Sequence, residues 1–183
     1  MRRICVFAGS KSGNNQEFIE KSKILGQVFA NEQIELVYGG AKSGLMGVLA
    51  DSILEAGGHV TGIMPTPLFE KEIVHQKLTS FIEVETMHER KAKMSELADG
   101  FIALPGGFGT FEELFETVTW AQIGLHTKPI ALLNIENYYT PMINLIDHAI
   151  EAGFVAESNR SLLLQSDKPK ELIEKMTYLL GEK

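Results

Sequence analysis

Short apolar runs alternate along the whole chain with longer stretches whose apolar positions recur at helical spacing. Ile4 to Ala8 is continuously apolar, which predicts a strand buried on both faces. Asn15 to Ala30 follows with Phe18, Ile19, Ser22, Leu25, Gly26 and Phe29 along one helical face. Ile34 to Tyr38 predicts a second strand. Gly44 to Ala56 predicts a helix burying Leu45, Val48, Leu49, Ser52, Ile53 and Ala56, closed by Gly57-Gly58. His59 to Met64 is a third strand, stopped by Pro65 and Pro67.

Thr66 to Ser80 have no usable periodicity; their proline-rich start and acidic residues suit a lid or an interface loop. Beyond them come a short strand over Phe81 to Val84, a helix over Thr86 to Ala98 and a strand over Gly100 to Leu104. A helix from Gly109 or Thr110 to Ile123 buries Phe111, Leu114, Phe115 and Val118. Pro129 to Leu133 is the last strand predicted, and helices over Tyr138 to Ala152 and Lys168 to Leu180 complete the chain. Strands separated by helices mean right-handed crossovers and a parallel sheet. The expected fold is α/β, a Rossmann-like doubly wound sheet with helices on both faces, in one nucleotide-binding domain over residues 1–183.

The formal net charge of -7 argues against a nucleic-acid surface, which needs a basic stripe, but leaves room for a single nucleotide. Only one cysteine, Cys5, is present, and its apolar surroundings mark a core thiol in a reducing compartment. Polar residues follow the first apolar run at once, so the N-terminus does not read as a signal peptide. No stretch approaches the roughly 18 apolar residues of a membrane span. A cytoplasmic protein without membrane contact is expected.

Three glycine- or serine-rich turns follow predicted strands. They are Gly9-Ser10-Lys11-Ser12-Gly13, the run Gly39-Gly40-Ala41-Lys42-Ser43-Gly44-Leu45-Met46-Gly47, and Pro105-Gly106-Gly107-Phe108-Gly109-Thr110. In a parallel sheet all three emerge on the edge where ligands bind. None has the spacing of a dinucleotide fingerprint or a P-loop. A mononucleotide or a sugar phosphate fits better. The third turn opens a helix whose unpaired N–H groups and positive dipole end favour an anion.

Two carboxylates sit in the first turn of that helix. Thr110 to Glu113 spells a capping box, in which Thr110 caps the helix and Glu113 only reaches back to it. Alternatively one carboxylate faces the ligand. Glu112 and Glu113 cannot both do so, because successive helical residues point about 100° apart. Arg90, in Met87-His88-Glu89-Arg90-Lys91, belongs either to a solvated basic helix face with Lys91 and Lys93, or to the site, where a guanidinium grips phosphate. Met46, Met87 and Met94 read by type as core fillers. The five histidines are scattered without ligand spacing, so no metal is expected.

Taken together, Pro105-Gly106-Gly107-Phe108-Gly109-Thr110-Phe111-Glu112-Glu113 and Met87-His88-Glu89-Arg90-Lys91 resemble the LOG (Lonely Guy) family. These are cytokinin riboside 5'-monophosphate phosphoribohydrolases whose bacterial members were long labelled lysine decarboxylases. Val37-Tyr38-Gly39-Gly40, Gly44-Leu45-Met46-Gly47 and Val6-Phe7-Ala8-Gly9-Ser10 extend the resemblance over nearly the whole chain. Ala41 and Lys11 depart from it, where many members carry glycine and serine.

The resemblance implies a homodimer that cleaves the N-glycosidic bond of an adenosine-type 5'-monophosphate, with water as co-substrate and no cofactor. It implies that Arg90 and Glu113 are catalytic, and it decides for Glu113 over Glu112. Gly106, Gly107, Gly109 and Thr110 would bind phosphate, with Gly9, Ser10, Gly39, Gly40, Gly44 and Met87 around the rest of the nucleotide. Two rivals are a general purine nucleotide 5'-monophosphate nucleosidase and a non-catalytic nucleotide or molybdenum-cofactor carrier. Lysine decarboxylation is rejected: Lys42, Lys91, Lys93 and Lys128 have no context marking a Schiff-base lysine.

Overall fold

The computed structural model describes residues 2–66 and 74–181. Its elements are, in order, β1 (Arg3–Phe7), α1 (Gln16–Asn31), β2 (Glu35–Tyr38), α2 (Gly44–Glu55), β3 (Val60–Pro65), β4 (Ser80–Val84), α3 (Met87–Leu97), β5 (Gly100–Ala103), α4 (Phe108–Gln122), β6 (Ile130–Leu133), α5 (Thr140–Glu151), β7 (Leu163–Ser166) and α6 (Pro169–Gly181). The strands form one seven-stranded sheet in the order β4-β3-β2-β1-β5-β6-β7. Every pairing between them is parallel. This is the Rossmann-like α/β architecture expected.

Strand alternation sends side chains to two cores, one on each face of the sheet. In β1, Ile4 and Val6 pack on one side with Leu25 and Phe29 of α1, Leu49 and Ile53 of α2, and Leu172 and Met176 of α6. Cys5 and Phe7 pack on the other with Met94 of α3 and Leu114 of α4, against which Met142 of α5 leans. Burial on both faces explains why these strands read as unbroken apolar runs.

The structure differs from these expectations in four places. β7 was not predicted; it is a four-residue edge strand, only partly buried, and pairs with β6 from Ile130–Leu163 to Leu133–Ser166. So short an edge gives no clear periodicity. Helix α5 starts at Thr140 rather than Tyr138, with Pro141 in its first turn and a 3-10 turn over Ile135–Asn137 before it. Phe115 of α4 and Ala56 after α2 are exposed, not buried. The expected loop over Thr66 to Ser80 holds the start of β4 at Ser80. Pro67 and the rest of 67–73, where a lid or interface loop was expected, lie outside the described residues.

Candidate active site

Strands after β1 step outward one way, and β5 restarts the sheet on the other side of β1. That reversal is the topological switch point, and the crevice beyond it is where such sheets bind ligands. The turns after β1 and β5 flank it. Gly9 N–H donates to Pro105 O (3.1 Å), and Gly9 O accepts from the N–H groups of Leu45 (3.0 Å) and Met46 (3.4 Å). The three glycine-rich turns therefore meet at Gly9. The start of α2 is occupied by these bonds.

The start of α4 is differently placed. Gly107 is its N-cap and makes no side-chain capping bond. Among the described residues, the N–H groups of Phe108, Gly109 and Thr110 have no hydrogen-bond partner in the protein. Such a terminus presents donors and a positive dipole end to an anion. The helix thus begins before the Gly109 or Thr110 start expected, and Thr110 lies within its first turn, buried. The capping-box reading of Thr110 and Glu113 fails, because the cap is already Gly107. Gly106 sits so close to Thr110 that a Cβ on it would come within 2.1 Å of Thr110 Oγ1.

A cavity of about 210 Å³ opens at this point. Ala8, Gly9 and Ser10 line it from the β1 turn, Met46 from α2, and Gly107, Phe108, Gly109, Thr110 and Glu113 from α4. Arg90 enters from α3. It is 7% exposed, so it does not belong to a solvated basic face. Its Nε–H donates to Ile63 O (3.1 Å), its Nη1 lies 3.9 Å from Met87 Sδ, and its Nη2 lies against Gly39. α3 itself begins with Thr86 as N-cap, whose Oγ1 accepts from Glu89 N–H.

The two neighbouring carboxylates separate as helical geometry requires. Glu113 lines the cavity, whereas Glu112 is exposed and pairs with Lys91 outside it. Lys91 is not the solvated cation expected: its side chain is 11% exposed and also bonds Glu116 (3.0 Å). Burial alone would lower its pKa, but the hydrogen bonds it donates to Glu112 and Glu116 outweigh this and raise it. Lys93 does lie on the surface, paired with Glu96.

The remaining predicted residues lie around the cavity. Gly39 backs the guanidinium, and Gly40, at φ +79°, accepts a hydrogen bond from His75 N–H. Gly44, at φ +60°, packs on the β1 turn, where a Cβ would lie 2.3 Å from the Ser10 carbonyl carbon. These three shape the site without lining it. Met87 is 41% exposed at its margin.

Gly106 faces a second, more apolar cavity of about 330 Å³ that shares Gly9, Ser10 and Gly107 with the first. Phe18, Leu45, Pro105 and Tyr138 form its apolar walls. Tyr138 O–H donates to Gly106 O, buttressing the turn before α4. Nothing in its sequence neighbourhood marks Tyr138 for this place. Cys5 lies below the site as a core residue; burial first, then the Glu113 carboxylate, push its thiol pKa up.

The family described as possible lysine decarboxylase matches residues 46–176. Cytokinin riboside 5'-monophosphate phosphoribohydrolase LOG5 of Arabidopsis thaliana is 45% identical over 175 residues, covering 96% of this chain and 77% of the relative. The enzyme LOG of Oryza sativa subsp. japonica, with the same activity in its name, is 42% identical over 181 residues, covering 99% and 75%. Among solved structures, the molybdenum cofactor carrier protein of Chlamydomonas reinhardtii superposes with a TM-score of 0.74 at 20% identity, covering 100% and 99% of the two chains. The molybdenum cofactor binding protein of Rippkaea orientalis gives 0.72 at 23%, covering 98% and 97%. At these identities the two carriers share the fold.

Proposed function

The chain belongs to the LOG family, whose match carries the description possible lysine decarboxylase, and from that premise we propose that it is a phosphoribohydrolase. It hydrolyses the N-glycosidic bond of an adenosine-type 5'-monophosphate, with N6-substituted, cytokinin-type nucleotides as the preferred class. The observation that carries this reading is the shared cavity of Arg90 and Glu113 at the start of α4, whose N-cap Gly107 offers no side-chain acceptor.

The 5'-phosphate sits at the N–H groups of Phe108, Gly109 and Thr110, with Gly106 and Gly107 shaping the turn and Ser10 opposite. Arg90, desolvated and oriented by Ile63 O, adds the full positive charge that a phosphate or sugar oxygen requires. The bond from C1' to the base nitrogen breaks with positive charge growing on the ribose, as in glycoside hydrolysis. Glu113 stabilises that charge and takes a proton from the attacking water. The water oxygen bonds to C1', the electron pair of the C1'–N bond goes to the base, and the proton that Glu113 took from water is passed on to the base nitrogen, giving free base and ribose 5-phosphate. Gly39, Gly40, Gly44 and Met87 hold the surroundings of Arg90 and the β1 turn. Water is the only co-substrate.

We also infer a cytoplasmic homodimer in which the whole chain forms one nucleotide-binding domain. No helix among the described residues is long and apolar enough to cross a membrane. The buried thiol of Cys5 suits a reducing compartment, and the outward Phe108 and Phe115 of α4 suit a second copy.

The deciding experiment incubates the purified protein with AMP and with isopentenyl-AMP, without added metal or cofactor, and follows free base by HPLC. Base release that is lost in Glu113→Gln supports the reading. A faster rate with isopentenyl-AMP supports the cytokinin class, and equal rates with AMP and GMP would favour a general nucleosidase. Saturable binding without turnover of any nucleotide would overturn the reading in favour of a carrier.

A further inference from the structure

Arg90 and Glu113 reach the same cavity from different helices, and the chain has to hold those helices in step. α3 and α4 lie on one face of the sheet without close backbone packing against each other. Between them stands Lys91, the residue after Arg90. Its ammonium bonds Glu112, the residue before Glu113, and Glu116 one turn later (3.0 Å). The clasp is nearly buried at its cationic end and stays outside the cavity. A surface ion pair contributes little, but a lysine held by two carboxylates with its stem desolvated restricts both helices.

We propose that Lys91 is a positioning residue, which sets the separation of Arg90 and Glu113 by tying α3 to α4 through Glu112 and Glu116. The proposal rests on Arg90 and Glu113 being the working pair. Each end of the clasp is one peptide unit from one member of that pair, so a shift of either helix moves a reacting group directly. Small displacements matter at such a site, since misplacement by about 1 Å can cost 10²-fold in rate. Lys91 needs no contact with the nucleotide to act in this way.

The test measures kcat and KM for isopentenyl-AMP, with thermal melting, for Lys91→Met, Lys91→Arg, Arg90→Ala and Glu113→Gln. Lys91→Met keeps the stem and removes the charge. It is expected to lower kcat about tenfold, with KM changed less than threefold, as expected when alignment of the reacting groups is lost. Lys91→Arg is expected to recover most of that loss, because a guanidinium also bridges two carboxylates. Adding Lys91→Met to Glu113→Gln is expected to cost less than it does in the wild type, because the group it positions is already gone. Wild-type kcat in Lys91→Met, while Arg90→Ala and Glu113→Gln are inactive, would overturn the positioning role alone. Full activity in Arg90→Ala and Glu113→Gln would overturn the reading it rests on. A kcat loss in Lys91→Met that Lys91→Arg fails to restore and that tracks a lower melting temperature would mark a merely structural clasp and overturn the proposal.

Discussion

A Cβ placed on Gly39 would lie 1.7 Å from Nη2 of Arg90. The buried guanidinium occupies the space that any other residue at position 39 would need. Gly39 follows β2 and Arg90 comes from α3, so two distant segments share one volume. Gly39→Ala is therefore expected to displace Arg90 from Ile63 O, with an overpacking cost of about 1–3 kcal/mol. Hydrolysis of isopentenyl-AMP should fall in Gly39→Ala, and combining it with Arg90→Ala should add almost no further loss. Independent, multiplying losses would show that Gly39 does not act through Arg90.

Glu113 and Glu112 are adjacent but occupy different environments, one in the cavity and one on Lys91. Glu113→Gln is expected to lower kcat by about 10²–10³, the usual loss when a group stabilising developing charge is removed. Its melting temperature should stay near that of the wild type, because glutamine keeps the shape of the side chain and the helix starts at Gly107, ahead of position 113. Glu112→Gln leaves the Lys91–Glu116 bond in place and should cost far less activity. Equal kinetic losses in the two variants would defeat the assignment.

Thr110 lies inside the first turn of α4 instead of capping it. Losing a true N-cap threonine costs about 0.5–2 kcal/mol. Thr110→Val should escape that cost while removing a hydroxyl from the cavity wall. The expected result is a higher KM for the nucleotide at nearly unchanged urea stability. A large loss of stability with unchanged KM would restore the cap role.

Cys5 is fully buried in the second core, and both burial and the Glu113 carboxylate hold its thiol protonated. A thiol reagent needs the thiolate and access to it. Native protein should react only as fast as it opens, and denatured protein at once. Rapid labelling under native conditions would contradict the packing of β1.

Tyr38 and Tyr139 are buried, and desolvation raises both phenol pKa values well above normal, with Asp51 and Tyr138 respectively adding to it. The native state therefore keeps protons that the unfolded chain releases near pH 10. By linkage, their contribution to stability is complete below about pH 10 and is lost as pH rises beyond it. Alkaline denaturation monitored by tyrosinate absorbance should show these two phenols ionising with unfolding. Among the described residues Tyr38 O–H has no hydrogen-bond partner, so Tyr38→Phe is expected to be neutral or to stabilise by up to about 1 kcal/mol. A marked destabilisation would mean that the hydroxyl has a partner.

The amino-acid order alone determined the parallel sheet, since strands buried on both faces must be apolar at every position and their crossovers must be helical. It also placed three glycine turns on one sheet edge, because each follows a strand of the same direction. It could not separate chemistry from capping. Thr86 and Thr110 both begin a Thr-x-x-Glu sequence, yet Thr86 caps α3 and Thr110 lies within α4. The difference comes from Gly107, whose extended backbone ends the turn and starts the helix earlier. Likewise Arg90 and Lys91 read as one basic run. Only packing sent Arg90 beneath β3 against Gly39 and Lys91 outward between two glutamates. Tyr138 and β7 were equally hidden, the first because its partner Gly106 is remote in sequence, the second because its pairing with β6 is. Local spacing dictates helices, strands and turns through backbone geometry. Which charge enters a cavity depends on contacts between segments far apart in the chain, and those exist only in the folded protein.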